Sequence, residues 1–223
     1  MDETAAKQVP PQRKTILIVD DHPMLCRGLT GLIESEPDLT VCAAVATCVK
    51  ALEIIREHPP DLVIVDLSLE RSDGMDLIKA MRLCCPKVPA LVLSMYDENL
   101  YAERALRTGA RGYLNKTQLD GTVLTAIHRV LSGELYLSPK LQARLAAKYV
   151  GADAAATEAP VRTLSDRELQ VYRMIGQGRS TRQIAERLCL SIKTIESHRE
   201  HIKRKLQLQS ASELAFHATR WVE

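Results

Sequence analysis

Five side chains that could bind or accept a phosphoryl group stand at the ends of short apolar runs. Asp20 and Asp21 end one run, Asp66 ends another, and Ser94 and Lys116 end two more. Carboxylate oxygens are preferred ligands of Mg²⁺, and an exposed carboxylate beside that ion can accept a phosphoryl group. A lysine offsets the charge of the phosphoryl oxygens, and a hydroxyl can donate a hydrogen bond to one of them. The set therefore indicates a phosphoryl-accepting aspartate with a bound divalent cation.

An aspartate at the end of a strand often only begins a loop, which is the simpler interpretation of any one of these residues. Loop propensity does not predict a polar residue after four separate runs, nor a lysine after the last of them. Because structural context strengthens a motif, the combination favours a functional site.

The apolar runs predict the strands of a parallel sheet. Residues 16–19, 39–45, 62–65, 90–93 and 112–114 are short and aliphatic, and helical periodicity fills the segments between them. This alternation predicts an α/β fold with a doubly wound, five-stranded parallel sheet. Ligands of such sheets bind beyond the carboxyl ends of the strands. The polar side chains should therefore meet at one edge, although the pattern leaves the strand order open.

Residues 161–223 predict a second, all-α domain of four helices. Four helix starts carry capping signals, at Ser165–Glu168, Ser180–Gln183, Ser191 and Ser210–Glu213. A short turn at Cys189–Ser191 separates the second helix from the third, which extends to about Leu206. Such a pair is typical of a helix-turn-helix, in which the second helix lies in the major groove of DNA.

The third helix of this domain has an apolar side, formed by Ile195, Ile202 and Leu206, and an opposite polar side. Between Arg179 and Lys205 there are eight basic and three acidic residues, a modest indication of a nucleic-acid partner. A solvated amphipathic helix would explain the pattern equally simply. The short capped helix immediately before it favours DNA recognition.

The polar side and its margins contain the expected DNA contacts. Ser197 and Glu200 should face base edges, because a hydroxyl and a carboxylate that accepts from cytosine carry base information. Lys203 and Arg182 should contact phosphates. We expect His198, at the buried edge, to pack rather than to contact a base. The full expected set is Arg182, Lys193, Thr194, Glu196, Ser197, Glu200, Lys203 and Arg204.

Composition excludes several other classes of protein. No run approaches the roughly 18 apolar residues of a membrane span, and the polar, disordered-looking residues 1–14 lack the apolar centre of a signal peptide. The six cysteines have no metal-ligand spacing. We therefore expect a cytoplasmic protein with reduced thiols and no membrane partner. Residues 133–160 predict a linker, with a helix over 139–149 and a flexible stretch over 151–160.

Residues 14–132 resemble bacterial receiver domains. The resemblance depends on Leu-Ile-Val-Asp-Asp-His-Pro (17–23), Val-Asp-Leu-Ser-Leu (65–69) with Gly74, Val-Leu-Ser (92–94) and Gly-Tyr-Leu-Asn-Lys (112–116). It implies that Asp66 is the phosphoacceptor and that Lys116 contacts the phosphate. It also implies Ser94 and Tyr113 as a switch pair. The implied Mg²⁺ ligands are Asp20, Asp21, Asp66 and the backbone carbonyl of Ser68.

Residues 162–222 resemble the LuxR-type output domain of the NarL/FixJ regulators. The matching motifs are Leu-Ser-Asp-Arg-Glu-Leu (164–169), Gln-Gly-Arg-Ser-Thr-Arg-Gln-Ile-Ala (177–185), Leu-Ser-Ile-Lys-Thr-Ile-Glu-Ser-His (190–198) and Ile-Lys-Arg-Lys-Leu (202–206). The combined resemblance implies a response regulator that a sensor histidine kinase phosphorylates. It implies a phosphorylated homodimer on paired half-sites of double-stranded DNA, and RNA polymerase is a further candidate partner. The last helix would form the dimer contact, for which Trp221 is suited.

Two alternatives accompany this interpretation. A haloacid-dehalogenase-like phosphatase also uses a strand-end aspartate with Mg²⁺, but it needs a second acid two residues further on, where this chain has Ser68. We therefore expect no enzymatic function. The other alternative is a regulator whose DNA binding is constitutive and independent of phosphorylation.

Overall fold

The computed structural model describes residues 13–69, 72–118, 121–149 and 160–222. The polar segment before residue 13 and most of the stretch that we expected to be flexible, namely residues 151–159 of 151–160, lie outside the described residues. The described chain divides into two compact units, which separate between Ser138 and Pro139.

The first unit is built on a five-stranded parallel sheet. Its strands are β1 (Lys14–Val19), β2 (Leu39–Val45), β3 (Leu62–Val65), β4 (Ala90–Ser94) and β5 (Gly112–Asn115). Their spatial order is β2-β1-β3-β4-β5, so the winding of the sheet reverses between β1 and β3. Ligands of doubly wound sheets bind at such a reversal. The predicted fold class is confirmed, and the structure adds the strand order.

Helices cover both faces of this sheet. They are α1 (Pro23–Glu34), α2 (Cys48–Glu57), α3 (Gly74–Cys84), α4 (Glu98–Thr108) and α5 (Thr122–Leu131). Ile16 and Ile18 of β1 pack in a core with residues of α1 and α5. Leu17 and Val19 are equally buried, and they point to the other face because side chains alternate along a strand. Strands that are buried on both faces explain the continuous apolar runs of the sequence.

The chain after α5 returns along β5. The backbone N–H of Tyr113 donates to the carbonyl of Tyr136 at 3.0 Å, and the N–H of Tyr136 donates to the carbonyl of Arg111 at 3.0 Å. The beginning of the segment that we interpreted as a linker therefore pairs with the edge of the sheet.

The second unit is helical. Its helices are α6 (Pro139–Tyr149), α7 (Asp166–Gly176), α8 (Thr181–Leu188), α9 (Ile192–Leu206) and α10 (Ala211–Val222), and a 3₁₀ helix spans Pro160–Thr163. None of the helices in the described part of the chain is long and apolar enough to cross a membrane.

Capping residues begin the helices of the second unit much as predicted. The reciprocal bonds of a capping box are present at the start of α7 and of α8, and Ser191 caps α9. At α10 the hydroxyl of Ser210 accepts from the N–H of Glu213. The Glu213 carboxylate, however, accepts from the N–H of Gln209, one residue before the position that a capping box requires.

Helices α7 and α10 are in backbone contact. A β-carbon on Gly176 would lie 2.3 Å from the carbonyl oxygen of Ala218, so only glycine permits this approach. Tyr172, fully buried in α7, hydrogen-bonds His217 and packs on Trp221 with ring centroids 5.3 Å apart. Burial raises the pKa of Tyr172 to about 12. Trp221, which we expected at a dimer contact, thus contacts Tyr172 within its own domain and stays partly exposed.

Candidate functional site

Asp20 and Asp66 meet at the reversal point of the sheet. β1 and β3 are neighbours with Val19 paired to Val65, so the residues that follow them lie side by side. One oxygen each of Asp20, Asp21 and Asp66, together with a ring nitrogen of His22, lie within 4.8 Å of one another. The structure therefore brings the three predicted carboxylates together.

Lys116 joins two of these carboxylates. Its Nζ lies 2.8 Å from Asp66 Oδ2 and 2.7 Å from Asp20 Oδ2, and its side chain is 6% exposed. Burial by itself lowers the pKa of Lys116, but the hydrogen bonds to Asp20 and Asp66 outweigh it and raise the pKa above its ordinary value. A permanently charged ammonium therefore stands beside the candidate phosphoacceptor.

Asp66 is buried, and our expectation of an exposed carboxylate is wrong. Its exposed fraction is 0%, and its oxygens are in contact with Lys116 and Ser68. The backbone N–H of Ser68 donates to Asp66 Oδ1 at 3.1 Å, and the Ser68 hydroxyl lies 3.2 Å from Oδ2. These contacts hold the carboxylate in one orientation.

Gly74 allows α3 to approach the backbone of Asp66. A β-carbon at Gly74 would lie 2.1 Å from the Asp66 carbonyl oxygen and 2.9 Å from Leu67 Cα. The first turn of α3 therefore packs directly behind the acceptor residue, and this position has no room for a side chain.

Ser94 and Tyr113 meet at the loop after β4. The N–H of Tyr96 donates to the Ser94 hydroxyl at 3.2 Å, and the Tyr113 hydroxyl donates to the Tyr96 carbonyl at 2.8 Å. Ser94 and Tyr113 are buried, and burial raises the pKa of the Tyr113 hydroxyl. A change at Ser94 can thus reach Tyr113 through a single peptide segment.

His22 belongs to the acidic cluster, although we did not predict it. Its Nδ1 lies 2.9 Å from Asp20 Oδ1 and 2.9 Å from Asp21 Oδ1, and its backbone N–H donates to Asp20 Oδ1 at 2.8 Å. The signal was available, because His22 directly follows the two aspartates. Its two hydrogen bonds orient the carboxylate of Asp20.

The donor set of this cluster fits Mg²⁺. Three carboxylates supply hard oxygen ligands from one small volume, which matches the preference of this ion. Asp20, Asp21 and Asp66 would hold it, and the carbonyl of Ser68 remains a prediction.

The predicted recognition helix α9 packs through its apolar side. Ile195, Ile202 and Leu206 are buried, and so are Ile184 and Ala185 of α8. The predicted polar residues of α9 that are exposed are Lys193, Glu196, Ser197, Glu200 and Arg204.

Several of the predicted DNA contacts have partners within the domain. Lys203 Nζ lies 2.9 Å from Glu200 Oε1. The residue that we expected at a phosphate is therefore paired with one that we expected at a base. The side chain of Thr194 hydrogen-bonds the capping hydroxyl of Ser191 at 2.8 Å, so it stabilises the start of α9. Arg182 pairs with Glu186 at 3.0 Å on the exposed surface.

Glu168 anchors the recognition helix, a function that its capping motif did not reveal. Its buried carboxylate accepts from Lys205 Nζ at 2.6 Å, and Lys205 also donates to the carbonyl of Thr163 at 3.2 Å. Burial by itself raises the pKa of Glu168, but the bonds from Lys205 and Ser165 outweigh it and lower the pKa. The start of α7 is thereby tied to the end of α9.

His198 lies half-buried on α9 near this anchor. Burial, with the nearby charge of Arg167, lowers its pKa. A neutral, half-buried imidazole is consistent with the packing role that we expected.

Comparison with protein families covers both units. Residues 16–128 match the family described as response regulator receiver domain, and residues 162–218 match bacterial regulatory proteins, luxR family. The chain is also 35% identical over 207 residues to the oxygen regulatory protein NreC of Staphylococcus carnosus, which covers 91% of this chain and 95% of that protein.

Solved structures share the fold. RcsB from Salmonella enterica serovar Typhimurium, bound to promoter rprA in the presence of the phosphomimetic BeF3−, aligns with a TM-score of 0.68 at 23% identity, covering 93% of this chain and 99% of that one. A two-component response regulator of the LuxR family from Aurantimonas aligns with a TM-score of 0.58 at 30% identity, covering 62% of this chain and 99% of that one.

Proposed function

The chain belongs to the two-component response regulators that join a receiver domain to a LuxR-type DNA-binding domain, and we propose that phosphorylation of Asp66 controls its dimerisation and DNA binding. The family consists of transcription regulators, so the phosphatase alternative is set aside. We assign phosphoryl acceptance to residues 14–132, a linker to residues 133–160 and DNA binding to residues 161–223.

One observation carries this proposal: the buried Lys116 ammonium bridges Asp66 and Asp20 where the winding of the sheet reverses. A carboxylate oxygen of Asp66 would attack the phosphorus of a phosphohistidine, and the bond from phosphorus to the histidine nitrogen would break. Asp20, Asp21 and Asp66 would hold Mg²⁺, which would supply charge stabilisation for this transfer. Lys116 remains protonated and would donate to an oxygen of the phosphoryl group, which carries roughly two negative charges where the carboxylate carried one.

Tyr96 would transmit the effect of phosphorylation from Ser94 to Tyr113. A phosphoryl oxygen would accept a hydrogen bond from the hydroxyl of Ser94, so this side chain would have to turn away from the N–H of Tyr96, from which it now accepts. The same residue's carbonyl holds the Tyr113 hydroxyl. Phosphorylation would therefore bias the loop after β4 between two hydrogen-bonded arrangements, and a ligand shifts such an equilibrium by its differential affinity for the two states.

The first turns of the helix-turn-helix suit approach to phosphates. α7 and α10 carry acidic residues in their first turns, whereas α8 and α9 carry none. The partial positive charge of those two N-termini is therefore not offset locally, which favours a nearby anion. We propose that α9 lies in the major groove and that Arg182, Lys193, Thr194, Glu196, Ser197, Glu200, Lys203 and Arg204 line the contact.

The proposed partners follow from this assignment. They are a sensor histidine kinase as phosphoryl donor, double-stranded DNA with paired half-sites, a second copy of the chain and RNA polymerase. In a dimer through α10, the contact would use Phe216, which is 66% exposed, rather than Trp221.

The test combines phosphorylation with DNA selection. Full-length protein is treated with acetyl phosphate and Mg²⁺, and bound sequences are selected from a random pool. We expect one phosphoryl group per chain, dimers on phosphorylation and tighter binding to the selected DNA. Asp66→Asn should accept no phosphate and show neither response. Asp76→Asn removes the same charge from a side chain that is 62% exposed, and it should behave as the wild type.

Two outcomes would contradict the proposal. Phosphate retained on Asp66→Asn would show that another residue is the acceptor. Equal DNA affinity of the wild type with and without phosphate would favour the constitutive regulator.

A further inference from the structure

The first residue of α9 is an exposed aliphatic side chain. Of the four large aliphatic residues in this helix, Ile195, Ile202 and Leu206 are buried, whereas Ile192 is 49% exposed. Single exposed aliphatic residues are common on proteins, so exposure alone assigns no function. The position of Ile192 in the helix-turn-helix is what makes it informative.

Local structure gives no reason for isoleucine at this position. The start of α9 is stabilised by Ser191, whose hydroxyl accepts from the N–H of Thr194 at 3.0 Å. A β-branched residue is a poorer helix former than alanine or a straight-chain residue. First turns favour proline or acidic residues, and Ile192 is neither. The side chain adds little to the capped helix end that it occupies.

Its neighbours along the helix belong to the expected set of DNA contacts. At 100° per residue, Ile192 lies along the same edge of α9 as Glu196, one turn later, and Lys203, three turns later. The N-terminal residues of a recognition helix are those that contact base edges. Ile192 would thus enter the groove ahead of Glu196.

We infer that Ile192 contacts the C5-methyl group of a thymine in the major groove and so determines one base of each half-site. The inference rests on the proposed function of α9. Isoleucine has no hydrogen-bonding group, and the thymine methyl is the apolar group that base edges present in the major groove. The carboxylate of Glu196 beside it can only accept hydrogen bonds, so Ile192 would add an apolar contact to this edge of α9.

Deoxyuridine provides a probe that differs from thymidine by this methyl alone. The full-length protein, phosphorylated with acetyl phosphate, first selects its consensus from a random pool. Each conserved thymine is then replaced singly by deoxyuridine, and dissociation constants are measured for the wild type, Ile192→Ala and Ile192→Val. We expect one thymine per half-site at which the loss of the methyl weakens wild-type binding about fourfold, the value of one buried methyl.

Ile192→Ala should lose this response, so that thymine and deoxyuridine bind it equally, and Ile192→Val should keep part of it. The slope of affinity against salt should be the same for all three proteins, because no phosphate contact changes. Deoxyuridine outside the contacted base pairs serves as the control and should have no effect.

A conserved thymine whose deoxyuridine penalty is equal in the wild type and Ile192→Ala would overturn the inference, and so would a consensus without a fixed thymine. Neither result would affect the assignment of α9 as the recognition helix. Failure to select any consensus would instead refute the proposed function, so the two failures are distinguishable.

Discussion

Replacing Gly74 by alanine tests whether close packing behind Asp66 positions the phosphoacceptor. The new β-carbon would lie 2.1 Å from the Asp66 carbonyl oxygen, which is 1.3 Å short of the 3.4 Å at which ordinary contact begins. The atoms that it meets belong to the backbone of Asp66 and Leu67, so no side-chain rotation can relieve the overlap. Either α3 or the loop after β3 must move by about 1 Å.

The size of the effect follows from this displacement. Overpacking of this kind costs about 1–3 kcal/mol, and the better helix propensity of alanine returns up to ~1 kcal/mol. We therefore expect Gly74→Ala to lower the free energy of unfolding by about 1–2 kcal/mol. A shift of about 1 Å in the attacking carboxylate should slow phosphorylation by about 100-fold.

The assay is the initial rate of phosphorylation of the full-length protein by acetyl phosphate with Mg²⁺, together with calorimetric unfolding. Gly31→Ala is the matched control. A β-carbon on Gly31, within α1, would meet nothing within 4 Å. It should therefore stabilise the protein by about 0.5–1 kcal/mol and leave the phosphorylation rate unchanged.

A wild-type phosphorylation rate in Gly74→Ala would refute the reasoning. If that variant were also less stable, the packing would matter for the fold but would not position Asp66. If its stability were unchanged as well, the overlap would be relieved without cost.

Three further predictions concern the second unit. Glu168→Gln removes the ion pair with Lys205 and should lower the free energy of unfolding by about 1–2 kcal/mol at pH 7. The pKa of Glu168 in the folded protein lies below its ordinary 4.5. The contribution of the ion pair is therefore present above pH 4.5 and is lost as the pH falls through the folded pKa. Gly176→Ala should destabilise this unit by about 1–3 kcal/mol, because it separates α7 from α10. The fluorescence of Trp221, the single tryptophan of the sequence, follows the unfolding of both variants. In DNA titrations, Lys203→Ala should lower the slope of log affinity against log salt by about one per monomer, whereas Glu200→Ala should change the preferred sequence and leave that slope nearly unchanged.

Each of these predictions has an outcome that would contradict it. An equal loss of stability in Glu168→Gln at pH 7 and at pH 3 would show that the carboxylate charge contributes nothing. Unchanged unfolding of Gly176→Ala would mean that the helices separate freely. Tighter binding of Glu200→Ala to every sequence would place Glu200 beside phosphates and would mean that the face of α9 is assigned wrongly.

The sequence by itself determined the elements and their ends. The five strands are visible because burial on both faces requires continuous aliphatic runs. The helix starts are visible because a cap joins residues only three positions apart, as Ser165 and Glu168 are. The polar residues at strand ends were recognisable for the same reason, since the type of each residue and its place in an element are local properties.

Only the tertiary structure decided how distant residues meet. Lys116 contacts Asp66 across 50 positions, and Glu168 contacts Lys205 across 37. Such contacts depend on which strands and helices become neighbours, and many arrangements share one hydrophobic pattern. The same reason explains why the burial of Asp66 and the contact of Trp221 with Tyr172 were not foreseen. Their exposure is determined by elements that come together only in the folded chain.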